Sequence, residues 1–247
     1  MDRKDFLKRG LGSLAIIPLF AACKESDVTP DTTSTTGTTG STSGSTNTGS
    51  CTTTATETEG PFPTHTPGSL VTNDITSDRT GTKLTVKVTI QNKNNSCAVL
   101  SNALVDIWHC DAAGNYSEYG GSGMQTTNYT NVHFLRGRQT TDANGLVSFT
   151  TIYPGWYSGR ATHIHVHVYN SSGKSLLVTQ IAFPEDISKV VYAQGVYASH
   201  GQADTTNARD NVFSDGTSTE MSTVTGSAAA GYVLTHTIVV NGQFLSE

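Results

Sequence analysis

Apolar and polar residues alternate one by one through Lys83-Leu-Thr-Val-Lys-Val-Thr-Ile90. A period of two puts Leu84, Val86, Val88 and Ile90 on one face of an extended chain, the signature of a strand buried on one side. A helix would scatter the same four residues around its circumference. Further apolar runs over 103–108, 145–153, 162–169, 176–183 and 232–240 predict more strands. Asp142-Ala-Asn-Gly145 lies between two of them as a turn, with Asn144-Gly145 suited to positive φ. Strong helical periodicity is absent, and only a short helical turn is expected near 184–190. No internal repeat is present. Short strands separated by Gly, Asn and Pro turns predict an all-β fold, a β-sandwich of mostly antiparallel strands with long functional loops.

The first 50 residues follow a different logic. A basic start, Met1-Asp-Arg-Lys4, leads into an apolar run from about Leu11 to Ala22, which is too short to span a bilayer and is interrupted by Pro18. It closes on Ala21-Ala22-Cys23 and resembles a bacterial lipoprotein signal, with Phe20 where such motifs prefer Leu or Val. That resemblance implies cleavage before Cys23 and a lipid anchor on it. Arg3-Lys4-Asp5-Phe6-Leu7-Lys8 also resembles a twin-arginine export signal with one Arg replaced by Lys, an ordinary Sec signal being the alternative. Residues 24–50 are rich in Ser, Thr and Gly and have almost nothing apolar to bury, so they read as a disordered tether. Such a tether has a root-mean-square reach of roughly 30 Å. The expected organisation is therefore a signal over 1–23, a tether over 24–50 and one domain over 51–247. The expected location is the bacterial cell envelope, periplasmic or outer-surface. The formal net charge is -5, with no basic run after the signal, which excludes nucleic acid as a partner.

Export also bears on the cysteines. With Cys23 set aside for lipid, Cys51, Cys97 and Cys110 remain, and an oxidising compartment allows one disulfide among them. Spacing does not fix the pairing. Cys51 with Cys97 is preferred, because it would pin the domain's N-terminal arm and leave one buried thiol.

The chemistry concentrates in Tyr153-Pro-Gly-Trp-Tyr-Ser-Gly-Arg-Ala-Thr-His-Ile-His-Val-His-Val-Tyr169. On a strand His163, His165 and His167 share a face, each about 6.5–7 Å from the next. The outer two are about 13 Å apart, so a His-x-His pair is the ligating unit and the third histidine a bystander. Imidazole suits zinc, copper, nickel or iron. No Asp, Glu or Cys follows closely, but Tyr157 stands six residues before His163. A phenol with a pKa of about 10 ionises at neutral pH only on a strongly Lewis-acidic cation, and Fe(III) is the natural candidate. Two phenolates and one hydroxide would leave such a centre neutral.

Phe134 to His165, with its Thr141-Asp-Ala-Asn-Gly145 turn and PGxYxxRxxHxH pattern, resembles the core of the intradiol ring-cleavage dioxygenases. These include protocatechuate 3,4-dioxygenases and catechol 1,2-dioxygenases. The resemblance extends to Thr58-Glu-Gly-Pro-Phe62, Asp106 to Tyr116, Val178 to Phe183 and Asp210-Asn-Val-Phe213, and so covers nearly all of 51–247. It implies a β-sandwich with a non-haem Fe(III) between the sheets, held by Tyr116, Tyr157, His163 and His165. It implies that Tyr157 leaves when substrate chelates, that Arg160 lies beside the reacting ring and that Gln180 lines the site. The implied partners are a small catechol and O2, and the implied reaction opens the ring between the two hydroxylated carbons to a cis,cis-muconate-type product.

Tyr119 and Tyr129 compete with Tyr116, because their Gly-rich stretch, as a flexible loop, could present a different phenol. The loop Gly120 to Asn131 is expected to shape the pocket. His167 reads as a polar strand residue, His109 as a satisfied structural histidine and Trp108 as core. His65, His200 and His236 read as solvent or loop polar residues. Two other readings stand beside this one: a non-catalytic surface sandwich binding carbohydrate or protein, and a zinc or copper site using all three histidines. The core resembles the protocatechuate type more than the catechol type, having a tether where the latter carry a helical dimerisation segment.

Overall fold

The computed structural model describes residues 50–242, and nine strands and one α-helix organise these described residues. The signal expected at 1–23, Cys23 with its lipid, and all but the last residue of the tether expected at 24–50 lie outside the described residues. The first sheet is built on β1 (Lys83–Asn92). β1 pairs antiparallel with β2 (Ala98–Val99) and β5 (Leu146–Ile152), and parallel with β9 (Gly231–Val240), which pairs in turn with β8 (Thr223–Ser227). The second sheet has the order β4 (Arg136–Thr140), β3 (Leu104–Trp108), β6 (His163–Tyr169), β7 (Ser175–Ala182), antiparallel throughout. Helix α1 (Glu185–Tyr192) follows β7, with Glu185 and Asp186 in its first turn, where carboxylates favour the positive end of the helix dipole. Among the described residues no helix is long and apolar enough to cross a membrane.

The expected all-β sandwich is what forms. Leu84, Val86, Val88 and Ile90 of β1 are fully buried and share one core with Val105 and Ile107 of β3 and Ile164, Val166 and Val168 of β6. Each such side chain contributes about 1.5–3 kcal/mol by leaving water. That core uses the even-numbered residues of β6. His163, His165 and His167 therefore project from the other face of the second sheet. The histidine pair does not sit between the sheets, as the resemblance implied, but on the outer face of one of them. The N-terminal arm and the loop between β3 and β4 cover it there.

The arm is fastened along its length. Cys51 is bonded to Cys97, as preferred from the sequence, and among the described residues Cys110 is the free cysteine, and it is buried. Thr54 exchanges hydrogen bonds with Val239 of β9, and the Glu57 amide donates to the Val178 carbonyl of β7. In the turn before β5, Asp142 Oδ1 accepts from the Asn144 and Leu146 amides. Only Gly145 of the expected Asn-Gly pair takes positive φ, at 69°.

Candidate metal centre

After β5 the chain makes a tight excursion over 153–162 before entering β6. Trp156 Nε1 donates to the Gly201 carbonyl, and Asp204 accepts from the Ser158 hydroxyl and the Gly159 amide. This fixed loop sets Tyr157 and Arg160 beside the start of β6. His163 Nδ1 donates to the Ala161 carbonyl at 2.6 Å, so its Nε2 lone pair faces inward. That Nε2 lies 3.1 Å from His165 Nε2 and 3.3 Å from the Tyr116 hydroxyl. The Tyr157 ring stands 5.7 Å from the His163 ring and 5.7 Å from the Tyr116 ring, centroid to centroid.

The structure thus brings Tyr116, Tyr157, His163 and His165 into one cluster, with Tyr116 and His165 fully buried. The two rival phenols are engaged elsewhere. The Tyr119 hydroxyl donates to the Pro63 carbonyl, and Tyr129 accepts from Arg79. Gln125 fastens the loop that carries them, accepting from the Tyr116 amide and donating to the carbonyls of Tyr116, Tyr119 and Thr127. His167 takes no part in the cluster. Its nitrogens meet Glu59 at 3.0 Å and Ser175 at 2.8 Å, and its ring stacks on Tyr169. A site using all three histidines is therefore not assembled.

Burial sets the charge of the four side chains. It drives the imidazole of His163 down to about 3 and that of His165 well below its usual range. Burial also pushes the Tyr116 phenol well above 10 and raises that of Tyr157, against the opposing pull of Arg160. All four groups are neutral at pH 7 in the protein alone. Buried phenols of this kind ionise only when a cation supplies what water no longer does.

The cluster fits such a cation. His165 Nδ1 is buried with no hydrogen-bond partner. With its proton on Nδ1, two lone pairs face each other across 3.1 Å; with its proton on Nε2, Nδ1 is orphaned. A metal between the rings removes that conflict. Two imidazoles bound at right angles, each about 2.1 Å from one ion, hold their nitrogens about 3 Å apart. Two imidazoles with phenol oxygens suit ferric iron.

Arg160 is clamped on three sides. Its Nε donates to both oxygens of Asp210 at 2.9 and 3.0 Å, one terminal nitrogen donates to Gln180 Oε1, and the other lies 3.3 Å from the Tyr157 hydroxyl. Gln180 donates onward to the Thr58 carbonyl. The two residues predicted from the resemblance therefore meet each other and Tyr157. Asp210, which opens the Asp210-Asn-Val-Phe213 stretch of the resemblance, is the carboxylate that orients Arg160, and it also accepts from the Ala161 amide.

Several wall residues escaped the sequence reading. Phe62 stacks on Tyr116 at 4.7 Å and meets Tyr157 edge-on at 6.0 Å. Trp108, expected as core, is buried but lies flat against His165 at 4.9 Å. Gly60 has φ of 69°, and a Cβ there would come within 2.9 Å of the His165 ring. Arg136 is buried under the site and donates to the Phe62 and Ser117 carbonyls and to the hydroxyls of Thr64 and Ser117. It ties the arm to the residue after Tyr116, with the buried Glu118 at 3.8 Å. Arg136→Met leaves Glu118 and two carbonyls without their cation, and about 3–5 kcal/mol of unfolding free energy in urea is expected to be lost. His109 is satisfied as expected, bonding Cys110 and Thr151. His236 lies on β9 rather than in a loop.

The family model described as Dioxygenase matches residues 59–215, which span every residue of this cluster. The chain is also similar in structure to an intradiol ring-cleavage dioxygenase from Tetranychus urticae, with a TM-score of 0.70 and 26% identity over 80% of this chain and 98% of that one. The chain belongs to the intradiol ring-cleavage dioxygenases. The dioxygenase domain of a dioxygenase–carbohydrate-binding protein fusion from Streptomyces sp. SirexAA-E is similar at a TM-score of 0.54 and 26% identity, over 78% of this chain and all of that one. A protocatechuate 3,4-dioxygenase beta chain of Burkholderia cepacia is 38% identical over 93 residues. That match spans 34% of this chain and 38% of the relative's length. In this intradiol dioxygenase the Tyr116–His165 cluster and the Arg160–Gln180 pair lie on one side of the second sheet, under the arm that carries Phe62.

Proposed function

We propose that the protein cleaves the aromatic ring of a catechol between its two hydroxylated carbons, using O2 and a non-haem Fe(III), to give a cis,cis-muconate-type product. The observation that carries this reading is the convergence of two imidazoles and two phenols in one buried cluster, with an arginine beside one phenol. Ferric iron bound there would supply the Lewis acidity that ionises phenols and a chelated catechol, and would make the ring reactive toward O2.

The chain's own residues divide the remaining work. His163 and His165 would hold the iron through Nε2, and the Ala161 carbonyl keeps His163 in the tautomer this needs. Tyr116 is wholly enclosed, whereas Tyr157 is only half-buried. Tyr157 is thus the phenol a substrate can reach and displace, and its oxygen takes the proton that a catechol hydroxyl gives up. Arg160, held by Asp210 and Gln180, presents fixed positive charge where the ring becomes anionic. Phe62 and Trp108 keep water from the inner half of the cluster.

Export by the segment 1–23 and a lipid on Cys23 would place the enzyme in the cell envelope. It would meet catechols from plant polyphenols, humic matter or siderophores there. The test is oxygen uptake by the iron-loaded protein with simple catechols. One O2 consumed per catechol, with a cis,cis-muconate-type product, is expected; an ortho-quinone product or no uptake on any catechol would refute the assignment.

A further inference from the structure

Outside the cluster a second group of side chains is drawn together. One carboxylate oxygen each from Glu57, Asp215 and Glu220 lies within 4.8 Å of the other two. We infer that these three carboxylates form a second metal site, built for a hard divalent cation of the Ca2+ class. The inference does not depend on the ring-cleavage reading.

Glu220 sets this group apart from an ordinary acidic patch. It is fully buried, yet neither carboxylate oxygen has a hydrogen-bond partner. The fully buried Thr179 hydroxyl approaches it without completing a well-formed hydrogen bond and only weakly favours its charged form. A buried carboxylate so poorly supplied with donors is costly, and it is aimed at two more carboxylates. Burial first, then Glu57, Asp215 and Asp210, hold its proton on up to about 8. Arg160 pulls the Glu57 carboxyl toward its charged form, but Asp210 already engages that guanidinium through both oxygens.

The donor set selects the ion. All three ligands are carboxylate oxygens, which favours Ca2+ or Mg2+ over zinc or copper. Oxygens on opposite sides of Ca2+ stand about 4.6–5.2 Å apart, and across Mg2+ only about 4.1 Å. The three oxygens lie within 4.8 Å of one another, a span that Ca2+ can bridge, and three protein carboxylates suit Ca2+ better than Mg2+, which keeps several waters and takes one or two.

The placement gives the site a consequence. Glu57 belongs to the arm, and its neighbour Thr58 accepts from Gln180. Asp215 belongs to the segment that carries Asp210, the partner of Arg160. The Glu220 carbonyl accepts from the Ala182 amide at the end of β7. One cation would join these three segments and brace the residues that hold Arg160 and Gln180.

The experiment titrates CaCl2 into the full-length, iron-loaded protein by calorimetry, with thermal melts alongside. One Ca2+ per chain and a raised melting temperature are expected. Glu220→Gln and Asp215→Asn should each weaken binding about tenfold or more, with iron content unchanged. Asp215 is exposed, so its variant keeps the test readable if Glu220→Gln does not fold. No binding up to about 10 mM, beyond the weakest sites of this class, would overturn the inference. So would binding that neither substitution changes. A third outcome also overturns it: stability that falls as pH rises from about 5 to 8 and that Ca2+ does not restore, because then a proton on Glu220 alone satisfies the group.

Discussion

Tyr157→Phe is expected to lower kcat by about 10²–10⁴-fold while part of the iron is retained. The ring keeps its contacts with Phe62, Tyr116 and His163, because only the hydroxyl is removed. Arg160 loses one partner at 3.3 Å but keeps Asp210 and Gln180, so folding stability should change little. Tyr116, His163 and His165 still offer an oxygen and two nitrogens to the metal. What disappears is the accessible phenol oxygen that accepts a catechol proton. The effect should therefore fall on kcat more than on iron content, measured by steady-state oxygen uptake together with metal analysis. Turnover near that of the wild type would remove Tyr157 from the role assigned to it.

His165→Ala is expected to abolish both iron binding and ring cleavage. One of the two imidazole nitrogens is lost, and the wall formed by Trp108 loses the ring it stacks on. Neutral His165 lacks a hydrogen bond at Nδ1, so its removal deletes a buried polar group that the apo-protein does not satisfy. The loss of iron should therefore exceed any loss of folding stability. His167→Ala is the matched control on the same face of β6. It breaks contacts with Glu59, Ser175 and Tyr169 and should leave iron content and turnover essentially unchanged. Metal analysis of the two variants side by side separates a His-x-His pair from a three-histidine site.

The strands that could be read from the sequence are those that bury an alternating apolar face. β1 shows this best, and β3, β5, β6, β7 and β9 appear within a residue or two of their expected ends. β2, β4 and β8 were not foreseen, and all three end the strand order of their sheets. Arg136-Gly-Arg-Gln-Thr140 and Thr223-Val-Thr-Gly-Ser227 carry little apolar alternation, and their ladder bonds, rather than burial, hold them. The cluster was legible because a strand forces His163 and His165 onto one face and the loop before it has a recognisable pattern. Which face that is depends on the partner sheet, so the outer position of the site was not legible. Nor were Asp210, Arg136 and Gly60, whose roles come from contacts between segments 50 or more residues apart.

The visible spectrum of the iron-loaded protein, recorded without oxygen before and after adding a catechol, tests the central claim most directly. A broad tyrosinate-to-Fe(III) charge-transfer band that shifts when catechol is added is the predicted result. It would report the phenolate ligands and an open chelation site in one experiment. A protein that stays colourless after reconstitution with Fe(III) would contradict the assignment of Tyr116 and Tyr157, and with it the proposed reaction.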